Sequence, residues 1–150
     1  MTFRLSERSL DRLEGVNPSL VAVVQRAIEI TSVDFGVTEG LRSYETQRQY
    51  VSAGKSQTMN SKHLTGDAVD LVAYIGSSVS WELNLYDDIA DSMQAAAKEF
   101  GVAIKWGAAW NVPDICTFEG TMNDAMCHYI DERRGQGRKP FIDGPHFELT

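Results

Sequence analysis

The stretch Ser61-Lys62-His63-Leu64-Thr65-Gly66-Asp67-Ala68-Val69-Asp70 decides how this chain is read. An imidazole and a carboxylate stand seven residues apart, on either side of a turn-prone Thr65-Gly66 pair. On one helix they would lie two turns apart, about 10 Å along the axis, too far to share an ion. On one straight strand the odd offset would place them on opposite faces. Gly66 removes both objections, because glycine accepts positive φ and lets the backbone turn. The stretch therefore reads as a loop carrying His63, then a strand from Ala68 to Tyr74 carrying Asp70. Nitrogen and oxygen donors folded towards each other suit a divalent metal, zinc in particular.

The far end supplies a third donor. In Asp143-Gly144-Pro145-His146-Phe147-Glu148-Leu149 the Gly-Pro pair breaks any helix and favours an extended exit. His146 and Glu148 then share one strand face, with Phe147 and Leu149 on the other. His63, Asp70 and His146 would leave the fourth tetrahedral position of zinc open for water, as catalytic rather than structural sites do. Asp143, three residues before His146, stands beside such a metal rather than on it.

Bulk properties bound the reading. At 150 residues the chain is most simply one domain, 1–150, with room for an ordinary core. It is 43% hydrophobic and 23% charged, the balance of a globular domain. A net charge of −7 argues against nucleic-acid binding. Arg133, Arg134, Arg138 and Lys139 form the one short basic cluster, read as a solvated helix end. No apolar run is long enough for membrane insertion, and Met1 to Leu5 does not begin a signal peptide. The chain is thus expected to stay in the cytoplasm until released, with Cys116 and Cys127 as free thiols.

In order, Ser6 caps a short helix to Leu13, and Asn17-Pro18 starts a second whose core face is Leu20, Val21, Val24, Ala27 and Ile28. Val33 to Thr38 is a strand, Ser43 caps a helix to Val51, and Lys55 to Asn60 is a loop. Gly76 to Ser80 turns the chain. A helix runs from Asn84 to Phe100, and Val102 to Trp106 is a strand. Between Asn111 and Pro140 only Asp124 to Arg134 reads as a helix. Helices with strands that would pair antiparallel make an α+β domain, a small mostly antiparallel sheet with packed helices.

The chemistry that fits is amide hydrolysis by metal-activated water, with Asp143 as general base and Arg42 helping to stabilise the developing oxyanion. Duller roles stand beside these. Asp143 also fits a turn residue before Gly-Pro, and Arg42 a surface charge at a helix start. Glu148 fits either a residue orienting a ligand or one facing solvent. Asp67 is expected to be exposed. Cys116 with Cys127-His128 is a weak rival metal site. Asp114, Glu119, Asp124 and Asp131 lack the spacing of a calcium loop.

Ser61-x-His63-x-x-Gly66-x-Ala68-x-Asp70 with Asp143-x-x-His146 resembles the zinc peptidases of bacterial cell walls. These include D-Ala-D-Ala carboxypeptidases and phage L-alanyl-D-glutamate endopeptidases, and hedgehog domains share their fold. Glu39-Gly40-Leu41-Arg42-Ser43 with Gln47, and Trp106-Gly107-Ala108-Ala109-Trp110, match further segments of the group. The opening, Leu5 to Val16, is similar to the start of phage endolysins. The resemblance implies a hedgehog/DD-peptidase fold, Zn2+ on His63, Asp70 and His146, and Asp143 and Arg42 as catalytic residues. It implies that Ser61 and Gln47 bind substrate, or that they position Arg42 and the loop. It further implies a monomer acting on the peptidoglycan stem peptide at the L-Ala–D-Glu bond, reaching the wall once a holin opens the inner membrane. Cleavage of D-Ala-D-Ala, or zinc binding without catalysis, are the alternatives. The segment 111–140 is longer than the family's usual connection and is expected to shape a lid or substrate wall.

Overall fold

The computed structural model describes residues 2–150, so Met1, the first residue of the Met1–Leu5 stretch, lies outside it. The elements in chain order are α1 (Glu7–Arg12), α2 (Pro18–Ile30), β1 (Asp34–Glu39), α3 (Tyr44–Ser52), β2 (Ala68–Ile75), β3 (Ser78–Ser80), α4 (Leu83–Phe100), β4 (Ile104–Trp106), α5 (Met122–Gly135) and β5 (His146–Leu149). Short 3-10 turns occupy Lys62–Thr65 and Ile115–Thr117. The strands form one antiparallel sheet in the order β1-β2-β5-β4, with β3 paired to the far end of β2. This is the expected α+β architecture.

One face of the sheet is the core. Phe35, Val37, Val69, Leu71, Ala73, Ile104, Trp106 and Phe147 are all buried. Against them pack α2, through Leu20, Val23, Val24, Ala27 and Ile28, and α4, through Ile89, Ala90, Met93, Ala96 and Ala97. Val23 joins the fully buried stripe of α2, and Val21 packs partly buried against the core beside it. The helix caps follow the sequence: the side chains of Ser6, Asn17 and Ser43 accept backbone N–H groups of their own first turns. Several readings needed correction, among them the strand read from Val102, which begins at Ile104. The turn 76–80 is a hairpin whose second arm is β3. His63 sits on a 3-10 turn rather than in open loop. The helix after residue 120 begins at Met122, because Thr121 and Asp124 form a capping box.

The other face carries the site, and a β-bulge sets it up. Val37 pairs with Leu71, yet Glu39, not Thr38, pairs with Asp70. The extra residue turns Glu39 out of the core and onto the face of Asp70. Helix α1 clips the bulge in place: Val37 N–H donates to Ser9 Oγ at 2.9 Å, and Arg12 Nη1 donates to Val37 O at 2.9 Å. Asp70 in turn pairs with His146 across β5. Glu39, Asp70 and His146 therefore form one row across three strands.

Candidate metal centre

Each functional side chain is held by backbone that the local sequence dictates. Ser61 caps the 3-10 turn by accepting His63 N–H at 3.2 Å. Gly66 ends it in the left-handed region, φ 76°, which a side chain would resist. A Cβ there would also stand 2.4 Å from Gly15 O. The 143–146 corner is pinned at four points. Asp143 N–H donates to Gly107 O at 2.8 Å, His146 N–H to Asp143 O at 3.1 Å, Gly107 N–H to His146 O at 2.8 Å, and Leu71 N–H to Pro145 O at 2.9 Å. Trp106 adds a buried indole N–H to Gly144 O at 2.7 Å.

His63, Asp70 and His146 are brought together, with one ligand atom from each lying within 4.8 Å of the others. Among the described residues this is the one such group of three, and Cys116, Cys127 and His128 form none. His63 Nε2 is 3.3 Å and His146 Nδ1 3.1 Å from the same oxygen, Asp70 Oδ1. Ligands at zinc bond lengths near 2.0–2.1 Å would sit ~3.3 Å apart along a tetrahedron edge.

The hydrogen bonds behind the rings fix which nitrogens face inward. His63 Nδ1 lies 2.8 Å from Gly40 O, and His146 Nε2 lies 2.8 Å from Glu148 Oε1. Both partners can only accept, so both of those nitrogens carry hydrogen. In the neutral rings His63 Nε2 and His146 Nδ1 are then lone pairs, aimed at a carboxylate oxygen. Three acceptors converge with no donor among them, and buried His63 Nε2 has no hydrogen-bond partner. Such a cluster requires a positive charge at its centre. The chain's own proton is one substitute: burial would lower the pKa of His146, but Asp70 and Glu148 raise it to about 9. Burial likewise opposes ionisation of Asp70, yet the imidazoles of His146 and His63 beside it hold it below the usual carboxylate range. The donor set and its spacing fit a metal cation.

The cluster lies in a groove of about 790 Å³. Asp143 lines it, half-buried, with no side-chain hydrogen bond among the described residues. Burial and the neighbouring charge of Asp70 raise its pKa, against the pull of His146, His63 and Arg42. Arg42 is placed less freely than the sequence implied. Its side chain is 8% exposed, Nε and Nη2 donate to Glu39 at 2.6 and 2.8 Å, and Nη1 donates to Gln47 Oε1 at 2.6 Å. Nη2 also lies 3.7 Å from Asp70 Oδ2. Gln47 is fully buried, and its amide nitrogen donates to Ser56 Oγ and to Thr58 O. Its amide thus bonds Arg42 at one end and the 56–58 loop at the other. Ser61 lines the groove as well as capping the turn. Asp67, expected to be exposed, is half-buried and bonded to Asn17 and Thr65.

Two participants, Glu39 and the Gly40 carbonyl, went unread. Glu39 escaped because the bulge is invisible in the sequence, although its i,i+3 spacing to Arg42 was a usable signal. The Gly40 carbonyl left no signal at all. Trp110 lies 5.5 Å from His146, ring to ring, and stacks on Phe141 at 6.2 Å. Both line the groove, whereas α5 packs on α4. Trp110 and Phe141 flank the segment 111–140, and no residue within that segment lines the groove, so the expected lid or wall is not formed by it.

A converging His-Asp-His group beside an unpartnered carboxylate, on one face of an antiparallel sheet, is a centre that could hold a metal ion. The comparisons agree on the family. The sequence profile of the phage L-alanyl-D-glutamate peptidases matches residues 1–150. The L-alanyl-D-glutamate peptidase of Escherichia phage T5 is 33% identical over 155 residues, covering all of both chains. That of Listeria phage A118 is 31% identical over 114 residues, 74% of this chain and 40% of the relative. Among solved structures, the Serratia marcescens L-Ala D-Glu endopeptidase ChiX superposes with a TM-score of 0.74 at 39% identity, over 99% of this chain and 90% of that one. The chain belongs to the phage L-alanyl-D-glutamate peptidase family, and it is a peptidase acting on peptidoglycan. The relatives are named for the L-Ala–D-Glu bond and not for D-Ala-D-Ala, and as peptidases they weigh against the non-catalytic alternative. No helix among the described residues is long and apolar enough to cross a membrane.

Proposed function

We propose that the enzyme is a zinc-dependent endolysin that cuts the stem peptide between L-Ala and D-Glu, with His63, Asp70 and His146 as the metal ligands. The observation that carries the metal is the convergence of three acceptors whose outer nitrogens are already committed. A bound zinc ion supplies Lewis acidity and brings the pKa of water towards about 7. Asp143 accepts the proton of the attacking water and returns it to the departing amine of D-Glu, completing hydrolysis without net proton change. Its freedom from other hydrogen bonds supports that role. Arg42, 3.7 Å from Asp70, places positive charge beside the oxygen on which negative charge develops. Glu39 and Gln47 hold the guanidinium still, which lowers the cost of organising it during reaction. Ser61 binds substrate from the rim of the groove. The enzyme acts as a monomer, on the wall, after release through a holin.

The test is a digest of purified muropeptides, followed by mass spectrometry with and without a chelator. A new amino terminus at D-Glu, lost on chelation and restored by zinc, is the expected result. Loss of terminal D-Ala alone, or cleavage indifferent to chelation, would overturn the reading.

A further inference from the structure

The groove holds four carboxylates, Glu39, Asp70, Asp143 and Glu148, and three cations, Arg42, Lys55 and Lys62. Two of those cations are committed. Arg42 is bonded to Glu39 and Gln47. Lys62 Nζ donates to Leu149 O and stands 3.6 Å from Glu148. Lys55 differs: among the described residues its ammonium has neither a carboxylate within 4 Å nor a hydrogen bond. Yet its backbone is not loose. Gly54, at φ 74°, ends α3 in the left-handed region, and Lys55 N–H donates to Tyr50 O at 2.8 Å. The ammonium lies 5.8 Å from the centre of the Tyr50 ring, which also receives Arg42 at 4.7 Å. Gln47 ties the next residues down through Ser56 and Thr58.

The substrate brings negative charge to a protein of net charge −7. D-Glu is linked onward through its γ-carboxyl, so its α-carboxylate stays free beside the scissile nitrogen. The diacid residue that follows it in many walls carries another free carboxylate. An acidic ligand entering a groove rich in carboxylates needs a cation that is not already neutralised.

We infer that Lys55 is the carboxylate anchor of the groove, gripping a free carboxylate on the D-Glu side of the scissile bond and so setting which half of the stem peptide lies over Tyr50. The inference rests on the proposed L-Ala–D-Glu cleavage. The aromatic pair Trp110 and Phe141 is left to the other half, which carries no free carboxylate of its own.

The experiment is a cycle between variant and substrate charge. Wild-type, Lys55→Met and Lys55→Arg enzymes are assayed on three synthetic stem peptides. One has free carboxylates, one is amidated at the D-Glu α-carboxylate, and one is amidated at the next residue's free carboxylate. For an exposed pair, the free-acid peptide should lose about fivefold in kcat/KM with Lys55→Met, chiefly through KM. Lys55→Arg should retain wild-type values. One amidated peptide should be cut equally by wild type and Lys55→Met, and which one it is names the carboxylate. An equal loss on all three peptides, or none on any, overturns the inference. If wild type cuts none of them at the L-Ala–D-Glu bond, it is the proposed bond choice that fails instead, and the inference falls with it.

Discussion

Glu148→Ala isolates the hydrogen bond that orients His146, a proposed metal ligand, without removing any proposed ligand. Glu148 Oε1 accepts from His146 Nε2 at 2.8 Å, with the two side chains 14% and 11% exposed. Half-burial and the lowered pKa of Glu148, held down by His146 against desolvation, make this a charge-assisted bond. Such a bond contributes about 1.5–3 kcal/mol. The Lys62 pair at 3.6 Å adds little, because that lysine is 40% exposed. Without Glu148 the ring loses basicity and is free to present the wrong nitrogen. At about 1.4 kcal/mol per factor of ten, the zinc dissociation constant should rise roughly 10- to 100-fold. Glu148→Gln keeps a neutral acceptor and should lose about tenfold or less. Competition of the metal-free protein against a chelator of known affinity, near neutral pH, measures both. Far-ultraviolet circular dichroism shows that the variants remain folded. A folded Glu148→Ala protein that binds zinc within twofold of wild type would refute the claim that this carboxylate tunes His146.

Asp143→Asn should retain zinc and lose roughly 10²- to 10⁴-fold in kcat, read by muropeptide turnover alongside metal analysis; unchanged turnover removes it as the base. In the metal-free protein the raised pKa of His146 gives stability that is complete below about 6.5. It is lost as pH rises through about 9. Melting curves with chelator should therefore fall across that window, and those with zinc should not. Because zinc must displace the same proton, its apparent affinity should rise over that window and level off, as pH-resolved competition would show. A Cβ on Gly107 would stand 2.2 Å from Asp143 O and 3.0 Å from His146 Cβ. Gly107→Ala should thus cost about 1–3 kcal/mol in urea denaturation and lower kcat. Gly135→Ala, with nothing within 4 Å, should leave both nearly unchanged.

The sequence by itself determined the elements, the family and the three residues, His63, Asp70 and His146, that the fold brings together. These three were legible because a carboxylate in an apolar strand asks for a partner, and two of the chain's three histidines stand at the motif positions around it. Helix caps and the stripes of α2 and α4 were legible for a related reason: they depend on neighbours a few residues away. Tertiary structure alone decided the rest. The bulge at Thr38 moved Glu39 onto the face of Asp70. The Gly40 carbonyl and Glu148 chose the tautomers of two histidines. The burial of Gln47 and its bonds to Arg42 and to the 56–58 loop come from packing between separate segments. Each of these depends on pairings between residues far apart in the chain, and sequence spacing records periodicity along one strand or helix, not the register in which two of them meet.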